Sequence, residues 1–303
     1  MARLSERQRV DVHSMLATAA AVDGVAPLSE QSVLLVDRDA EHFWTEIEGR
    51  VVGYANVTPG RADEPAMAEV VVHPGFRRRG IGAALTGQIL ETVPGVRIWA
   101  HGDLPAAAAL GRTLGTRRTR ELLQLRRDLT GLPELTVPAD LRLRTYAGPA
   151  DDAELLRVNN AAFEWHPEQG GWTQAQIDER TGADWFDPAG VFLAFDAADD
   201  QRLLGFHWTK IHRADDSGRP GGPSHDLGEV YVVGVDPAAQ GRGLGHLVTL
   251  AGLRYLADRA LPTVQLYVEG DNAAALKTYE RLGFTRYAVD VAYGASTDPG
   301  TSD

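Results

Sequence analysis

The feature that most constrains this chain is that it repeats itself. Val70-Val71-Val72-His73-Pro74 leads into Arg77-Arg78-Arg79-Gly80-Ile81-Gly82, and Val233-Gly234-Val235-Asp236-Pro237 leads into Gln240-Gly241-Arg242-Gly243-Leu244-Gly245. The two blocks align without a gap at an offset of 163 (237 − 74). Upstream, Arg50-Val51-Val52-Gly53-Tyr54 matches Arg202-Leu203-Leu204-Gly205-Phe206. Downstream, Gly102-Asp103 through Leu114-Gly115 matches Gly270-Asp271 through Leu282-Gly283, at an offset of 168 (283 − 115). Three blocks in the same order at similar offsets mean a duplicated domain. A length of 303 residues suits two domains of ordinary size.

The turn-rich segment Thr130 to Pro138 separates the copies, giving domains 1–138 and 139–303. Each copy predicts the same series. A helix comes first, Glu6–Ala21 or Ala150–Phe163. Hairpin strands follow, Phe43–Glu48 with Val51–Val57, and Val191–Asp196 with Leu203–Ile211. A β-branched strand then runs to Pro74 or Pro237, and a glycine turn feeds a helix, Ile81–Thr92 or Leu244–Arg259. A strand, a short alanine-rich helix and a last strand close the copy. Hairpins early and βαβ late predict an α/β fold whose mixed sheet is flanked by helices.

Composition narrows the partners. A net charge of −12 argues against a nucleic-acid or anionic-membrane footprint, and the run Arg77-Arg78-Arg79 suits one small anion instead. The first ten residues are polar and charged, and no apolar run approaches the ~20 residues that span a bilayer. A cytoplasmic monomer acting on a small molecule is expected. Cysteine is absent, which excludes disulfides, thiolate metal sites and a cysteine nucleophile, and would suit a protein that handles a thiol. His207 and His212 lack partners at ligand spacing, so no metal is expected.

Arg/Gln-x-x-Gly-x-Gly between a strand and a helix has a mechanical meaning. Its glycines permit positive φ, successive backbone N–H groups converge, and the helix adds its positive end. That arrangement holds a pyrophosphate without a metal. The spacing is neither Gly-x-Gly-x-x-Gly nor a P-loop. The later block runs Leu266-Tyr267-Val268-Glu269-Gly270-Asp271-Asn272 into Ala273–Gly283-Phe284, where Asp271 or Asn272 can cap a helix and Gly283 can end it.

With these blocks both halves resemble the GNAT-type N-acetyltransferase superfamily. The resemblance implies two tandem GNAT domains, each with a mixed, mostly antiparallel sheet, and acetyl-CoA bound at the glycine turn. It also implies a capping asparagine beside the cofactor and a helix tyrosine, here Tyr279, near the CoA sulfur. By gapless comparison Tyr279 falls opposite Gly111, Glu229 opposite Ala66 and Asn272 opposite Leu104. The first copy is therefore expected to bind acyl-CoA or wall the site without catalysing, with Glu69 and His101 as the groups through which it could still act.

Acyl transfer to an amine of pKa about 8 requires a base, since the ammonium has no lone pair. Glu229 is the candidate. A glutamate of ordinary pKa, about 4.3, is a poor direct base for such an amine, so a water or burial must assist it. The backbone N–H of Val235 is the expected donor to the thioester oxygen. Tyr279 is expected to hydrogen-bond the departing thiolate. Its free pKa of about 10 lies above a thiol's of about 8.5, so full proton transfer is uphill.

The stretch Asn159 to Trp172 mixes aromatics, amides and glycines, as a sugar-binding surface does. Together with Phe206-His207-Trp208-Thr209-Lys210, Gly228-Glu229-Val230-Tyr231-Val232 and the segment Val22 to Glu30, it closely resembles the mycothiol synthase family. Members of that family acetylate the cysteinyl amine of cysteinyl-glucosaminyl-inositol. The resemblance implies substrate contacts at Glu30, Glu168, Lys210, Glu229 and Tyr267. For acetyl-CoA it implies Val233 to Val235, then Gln240, Gly241, Arg242, Gly243, Leu244, Gly245 and His246, and Asn272, Ala273, Ala274, Ala275, Leu276 and Lys277. In the first copy it implies Val70, Val71 and Val72 with Arg78, Arg79, Gly80, Ile81, Gly82 and Ala83. Gly241 departs from the pattern, standing where an arginine would parallel Arg78. A GNAT enzyme for another amine or a protein N-terminus, and a non-catalytic acyl-CoA sensor, are the alternatives.

Overall fold

The computed structural model describes residues 3–38, 40–60, 65–164, 169–214 and 225–295, apart from the side chain of Glu30. Their contacts form two compact units.

The first unit opens with α1 (Glu6–Asp23), started by a capping box between Ser5 and Gln8 and stopped at Gly24, whose φ is 71°. Its buried residues Val12, Met15, Leu16 and Ala19 recur at helical spacing and pack on Tyr54 and Val71 of the sheet. Then come α2 (Glu30–Val36), β1 (Glu41–Ile47) and β2 (Arg50–Thr58). Glu48 and Gly49 join β1 to β2 with φ of 50° and 73°, as a two-residue primed turn requires. The series continues with β3 (Met67–Val72), α3 (Ile81–Thr92), β4 (Arg97–His101), α4 (Pro105–Thr113) and β5 (Thr116–Asp128). The sheet order is β1-β2-β3-β4, with α1 and α3 both packing on β2 and β3.

The second unit repeats the plan with β6 (Leu141–Thr145), α5 (Asp152–Ala162), α6 (Gln174–Thr181), β7 (Val191–Asp196), β8 (Asp199–His212), β9 (Leu227–Val235), α7 (Leu244–Asp258), β10 (Thr263–Glu269), α8 (Ala273–Arg281) and β11 (Thr285–Ala295). Its order is β10-β9-β8-β7-β6, antiparallel except for the parallel β9–β10 pair. Leu155, Val158, Trp172 and Ile177 cover one face, against Leu193, Phe206 and Trp208. On the other face lie Leu244, Leu247 and Val248 of α7, against Ala194 and Leu204. Helices thus flank a mixed sheet in both units, as expected. No described helix is long and apolar enough to cross a membrane.

The division between units is not at Pro138. Residues up to Leu123 belong to the first unit together with the strand from Ala288 onward, while Gln124 to Tyr287 contains the described residues of the second. Strands β5 and β11 each change unit partway along, and the turn-rich segment at 130–138 belongs wholly to the second unit. Helices α2 and α6 add to the expected series. Both are short, and α6 buries only Ile177, so neither carries a long apolar period. The helix expected from Ala150 begins at Asp152, because Pro149–Asp151 forms a single 3₁₀ turn.

Candidate active site

Each unit has a helix that begins at a left-handed glycine with no side-chain cap: Gly80 at φ 81° before α3, and Gly243 at φ 77° before α7. Two residues earlier the backbone is left-handed again, at Arg78 (φ 63°) and Gly241 (φ 83°). A Cβ added at Gly80, Gly241 or Gly243 would meet nothing within 4 Å. The first N–H groups of both helices thus have no side-chain cap at the positive end of the dipole, and the turns before them leave room for a ligand, an arrangement that fits a pyrophosphate. Arg78 holds a conformation that costs an L-residue about 1–2 kcal/mol, and Gly241 avoids that cost. The three arginines do not form one anion cluster: Arg77 closes on Asp23 at 2.7 and 2.6 Å, and Arg79 lies over the Phe76 ring. Arg242 pairs with Asp140 at 2.7 Å.

The strand before the turn differs between the units. Trp208 faces Val232 but Thr209 faces Val230, so Tyr231 is an extra residue, a β-bulge in β9. The β2–β3 register runs from Gly53–Val72 to Thr58–Met67 without a shift. Counting back from Val72 and Val235, the bulge moves the counterpart of Glu229 from Ala66 to Met67. The neighbouring strands agree: Met67 pairs with Arg97 and Glu229 with Gln265, and those partners match at the 168-residue offset. The first copy still lacks a carboxylate there.

Parallel pairing between β9 and β10 stops at Glu229. In the first unit it continues to Glu69 and Trp99, two residues beyond Met67. Strands β9 and β10 therefore part earlier. Asp236 N donates to Leu204 O at 2.8 Å, so by antiparallel alternation the Val235 N–H points away from β8, toward the opened side. An N–H so directed is free of the β8 ladder and could donate to an oxygen placed in that opening.

Below the opening, Lys210 stands directly opposite Glu229. The Lys210 ammonium lies 4.8 Å from the centre of the Trp185 ring and 5.5 Å from that of Tyr231. The Glu229 carboxylate is hydrogen-bonded to His212 Nε2. Along the same row Gln124 Nε2 donates to Gln265 Oε1 at 2.8 Å and to the Tyr267 hydroxyl at 3.0 Å, while Arg126 reaches Gln265 at 3.1 Å. Lys210, Glu229 and Tyr267 thus belong to one polar row on the sheet. His207 is unlike His212: it is fully buried, its Nδ1 3.0 Å from Val248 O, and burial pushes its pKa down to about 4. Among the described residues no His, Asp and Glu cluster is arranged to hold a metal ion.

Asn272 caps α8, its Oδ1 accepting from Ala275 N at 3.1 Å, and Ala273 to Lys277 form the first turns of that helix. Tyr279 packs edge-on against Phe284, and burial pushes its hydroxyl up to about 12. It therefore remains a hydrogen-bond donor at neutral pH. In the first unit Leu104 caps α4 without a side-chain bond. A Cβ at Gly111 would meet the Tyr293 ring at 2.8 Å, so the helix face that carries Tyr279 in the second copy is pressed against the C-terminal strand in the first.

The first unit keeps its own charged cluster. Glu69 is 5% exposed, accepts from Ser29 N at 2.7 Å and lies 3.6 Å from His101 Nε2. His101 Nδ1 is 3.2 Å from Asp290, which accepts from Gly102 N at 3.0 Å. Burial disfavours charge on His101, but the carboxylates of Asp290 and Glu69 outweigh it and push its pKa up to about 10. Burial likewise disfavours the Glu69 carboxylate, and His101 with Ser29 holds its pKa below the usual range. This cluster is an internally compensated ion group. Of the remaining expected contacts, Glu30 is the first residue of α2 in the first unit, and Glu168 lies outside the described residues. His212, Gln124 and Gln265 were not anticipated as site residues. Only for His212 was there a signal, since Trp208, Lys210 and His212 alternate on one face of β8.

The acetyltransferase (GNAT) family model matches residues 12–115 and 156–284, once in each copy. A mycothiol acetyltransferase of Gordonia bronchialis is 59% identical over 298 residues, covering 96% of this chain and 93% of the relative. One from Mycolicibacterium smegmatis is 53% identical and covers 97% of each. Among solved structures, a GCN5-related N-acetyltransferase from Sphaerobacter thermophilus shares the fold with a TM-score of 0.71 at 20% identity, over 99% of this chain and 96% of that one. A tandem GNAT protein from the clavulanic acid pathway gives 0.66 at 21% identity, over 99% and 98%. Matched in both copies by the family model and end to end by close relatives, the chain belongs to the acetyltransferase (GNAT) family and, within it, to the mycothiol acetyltransferases.

Proposed function

We propose that the chain transfers the acetyl group of acetyl-CoA to the cysteinyl amine of cysteinyl-glucosaminyl-inositol, giving mycothiol and CoA, and that the second unit carries out the chemistry. The observation that carries this reading is the Glu229 carboxylate, opposite Lys210 at the point where β9 and β10 part, in the copy that has the bulge, the capping asparagine and the helix tyrosine. Acetyl-CoA supplies an activated acyl group as a thioester. The uncapped N–H groups of Leu244 to His246 hold its phosphates, and Asn272 to Lys277 flank it. Glu229 takes the proton of the substrate ammonium, directly or through a water. The freed nitrogen lone pair forms the C–N bond as the C–S bond breaks, and the nitrogen releases its remaining surplus proton to solvent. The Val235 N–H stabilises the charge that builds on the acyl oxygen. Tyr279 donates a hydrogen bond to the leaving sulfur, which takes a solvent proton. In the first unit, the second turn binds another acetyl-CoA without turning it over.

The test is to supply acetyl-CoA and cysteinyl-glucosaminyl-inositol and follow CoA release. Turnover supports the reading. Absence of turnover, with acetylation of another small amine, would point to a different acceptor within the same family.

A further inference from the structure

We propose that His212 is a positioning residue for acyl transfer, holding the Glu229 carboxylate in the orientation from which it takes the amine proton. The proposal rests on the reading of Glu229 as the base.

The geometry begins with the strand period. Lys210 and His212 lie on the same face of β8, and Lys210 is directly opposite Glu229. His212 is therefore the diagonal neighbour of Glu229, close enough for a long side chain to reach across. Its Nε2 meets Glu229 Oε2. No other described side chain or backbone group hydrogen-bonds the Glu229 carboxylate. A glutamate on a strand has three rotatable bonds, and a single donor on Oε2 selects the orientation that leaves Oε1 able to accept. The aromatic rings of Trp185 and Tyr231 already engage the Lys210 ammonium, so the imidazole is the group left to fix the carboxylate.

Exposure supports the arrangement. The Glu229 side chain is 12% exposed and His212 30%, so the imidazole is the more solvent-facing of the pair. A histidine that served only to pin a strand end would not need to meet the carboxylate at the point where β9 and β10 part. The first unit supplies a contrast. The counterpart of Glu229 is Met67, and two residues beyond Thr58, the counterpart of Lys210, the chain has Gly60. The carboxylate and its imidazole are absent together in the copy read as inactive.

The test uses the full chain with His212→Ala, His212→Gln, Glu229→Ala and the double variant His212→Ala/Glu229→Ala. CoA release is followed with acetyl-CoA and cysteinyl-glucosaminyl-inositol, and folding is checked by thermal melting. A misplaced catalytic group costs on the order of 10²-fold, so His212→Ala should lower kcat by about 10–100-fold while the KM for acetyl-CoA stays within twofold. His212→Gln, which retains an N–H donor of similar reach, should recover a measurable part of kcat. Adding His212→Ala to Glu229→Ala should cost nothing further, because the imidazole acts through that carboxylate. An unchanged kcat in His212→Ala, or a full additional loss in the double variant, overturns the proposal while leaving Glu229 as the base. An unchanged rate in Glu229→Ala overturns the underlying reading instead.

Discussion

Replacing His101 by glutamine removes the only cation from the buried group it forms with Glu69 and Asp290. The side chains of His101 and Glu69 are 11% and 7% exposed, so solvent does little to screen the carboxylates left behind. Holding an imidazole at a pKa of about 10 rather than 6.5 corresponds to an upper bound of ~5 kcal/mol, at 1.36 kcal/mol per unit. Removing one member of a buried ion pair costs about 3–5 kcal/mol, and His101→Gln should fall in that range. The pH dependence gives a sharper test. Because the folded pKa is raised, the contribution is complete below the unfolded value near 6.5 and is lost as pH rises toward about 10. Urea unfolding of the full chain at pH 6 and pH 9.5, with hydrogen exchange of the β4 and β11 amides reporting on the first unit, measures it. The native protein should lose stability over that interval, and the variant should lack that loss. A variant with the native midpoint and the native pH slope would refute the electrostatic account of this cluster.

Three further outcomes follow from the second unit and its twin. Tyr279→Phe should lower kcat by about 10–100-fold, from a lost charge-assisted hydrogen bond of about 1.5–3 kcal/mol. Its raised pKa means that this hydroxyl adds no alkaline limb to a rate profile measured up to pH 10. Asn272→Ala should cost about 1 kcal/mol of stability through the lost cap and raise the KM for acetyl-CoA, read by melting and by kinetics. Titration calorimetry with acetyl-CoA should count two sites in the native chain and one in Gly243→Val, where a β-branched residue cannot easily take φ 77°; one site in the native chain would remove the first unit from cofactor binding.

Much of this architecture was written plainly in the chain. Gly80 and Gly243 are legible because a strand, a left-handed residue and a helix must follow one another there, and only a few residue types satisfy that sequence. Gly283 and the Asn272 cap are legible for the same local reason. The bulge at Tyr231 is different. An inserted residue inside a β-branched run leaves the pattern of residue types nearly intact and shows only in the register with β8, so gapless comparison matched Glu229 to Ala66 instead of Met67. The His212–Glu229 contact depends on that register too. The changes of unit within β5 and β11 were hidden because strand propensity says what a segment becomes, not which sheet receives it.

The strand from Ala288 onward has a consequence for the order in which the protein can be assembled. Asp290, which meets His101 and Gly102, is separated from Gly102 by 188 positions. During synthesis, the first unit must wait for nearly the whole chain before its last strand and the carboxylate that neutralises His101 arrive. It therefore leaves the ribosome as an unfinished sheet with an open edge, held by a high-contact-order closure that comes last. Cutting the gene at the apparent linker would release a first half that has lost Asp290 and Tyr293, and a second half with β11 deprived of its own sheet. The first copy is thus completed by a strand encoded at the far end of the gene and is not inherited without it.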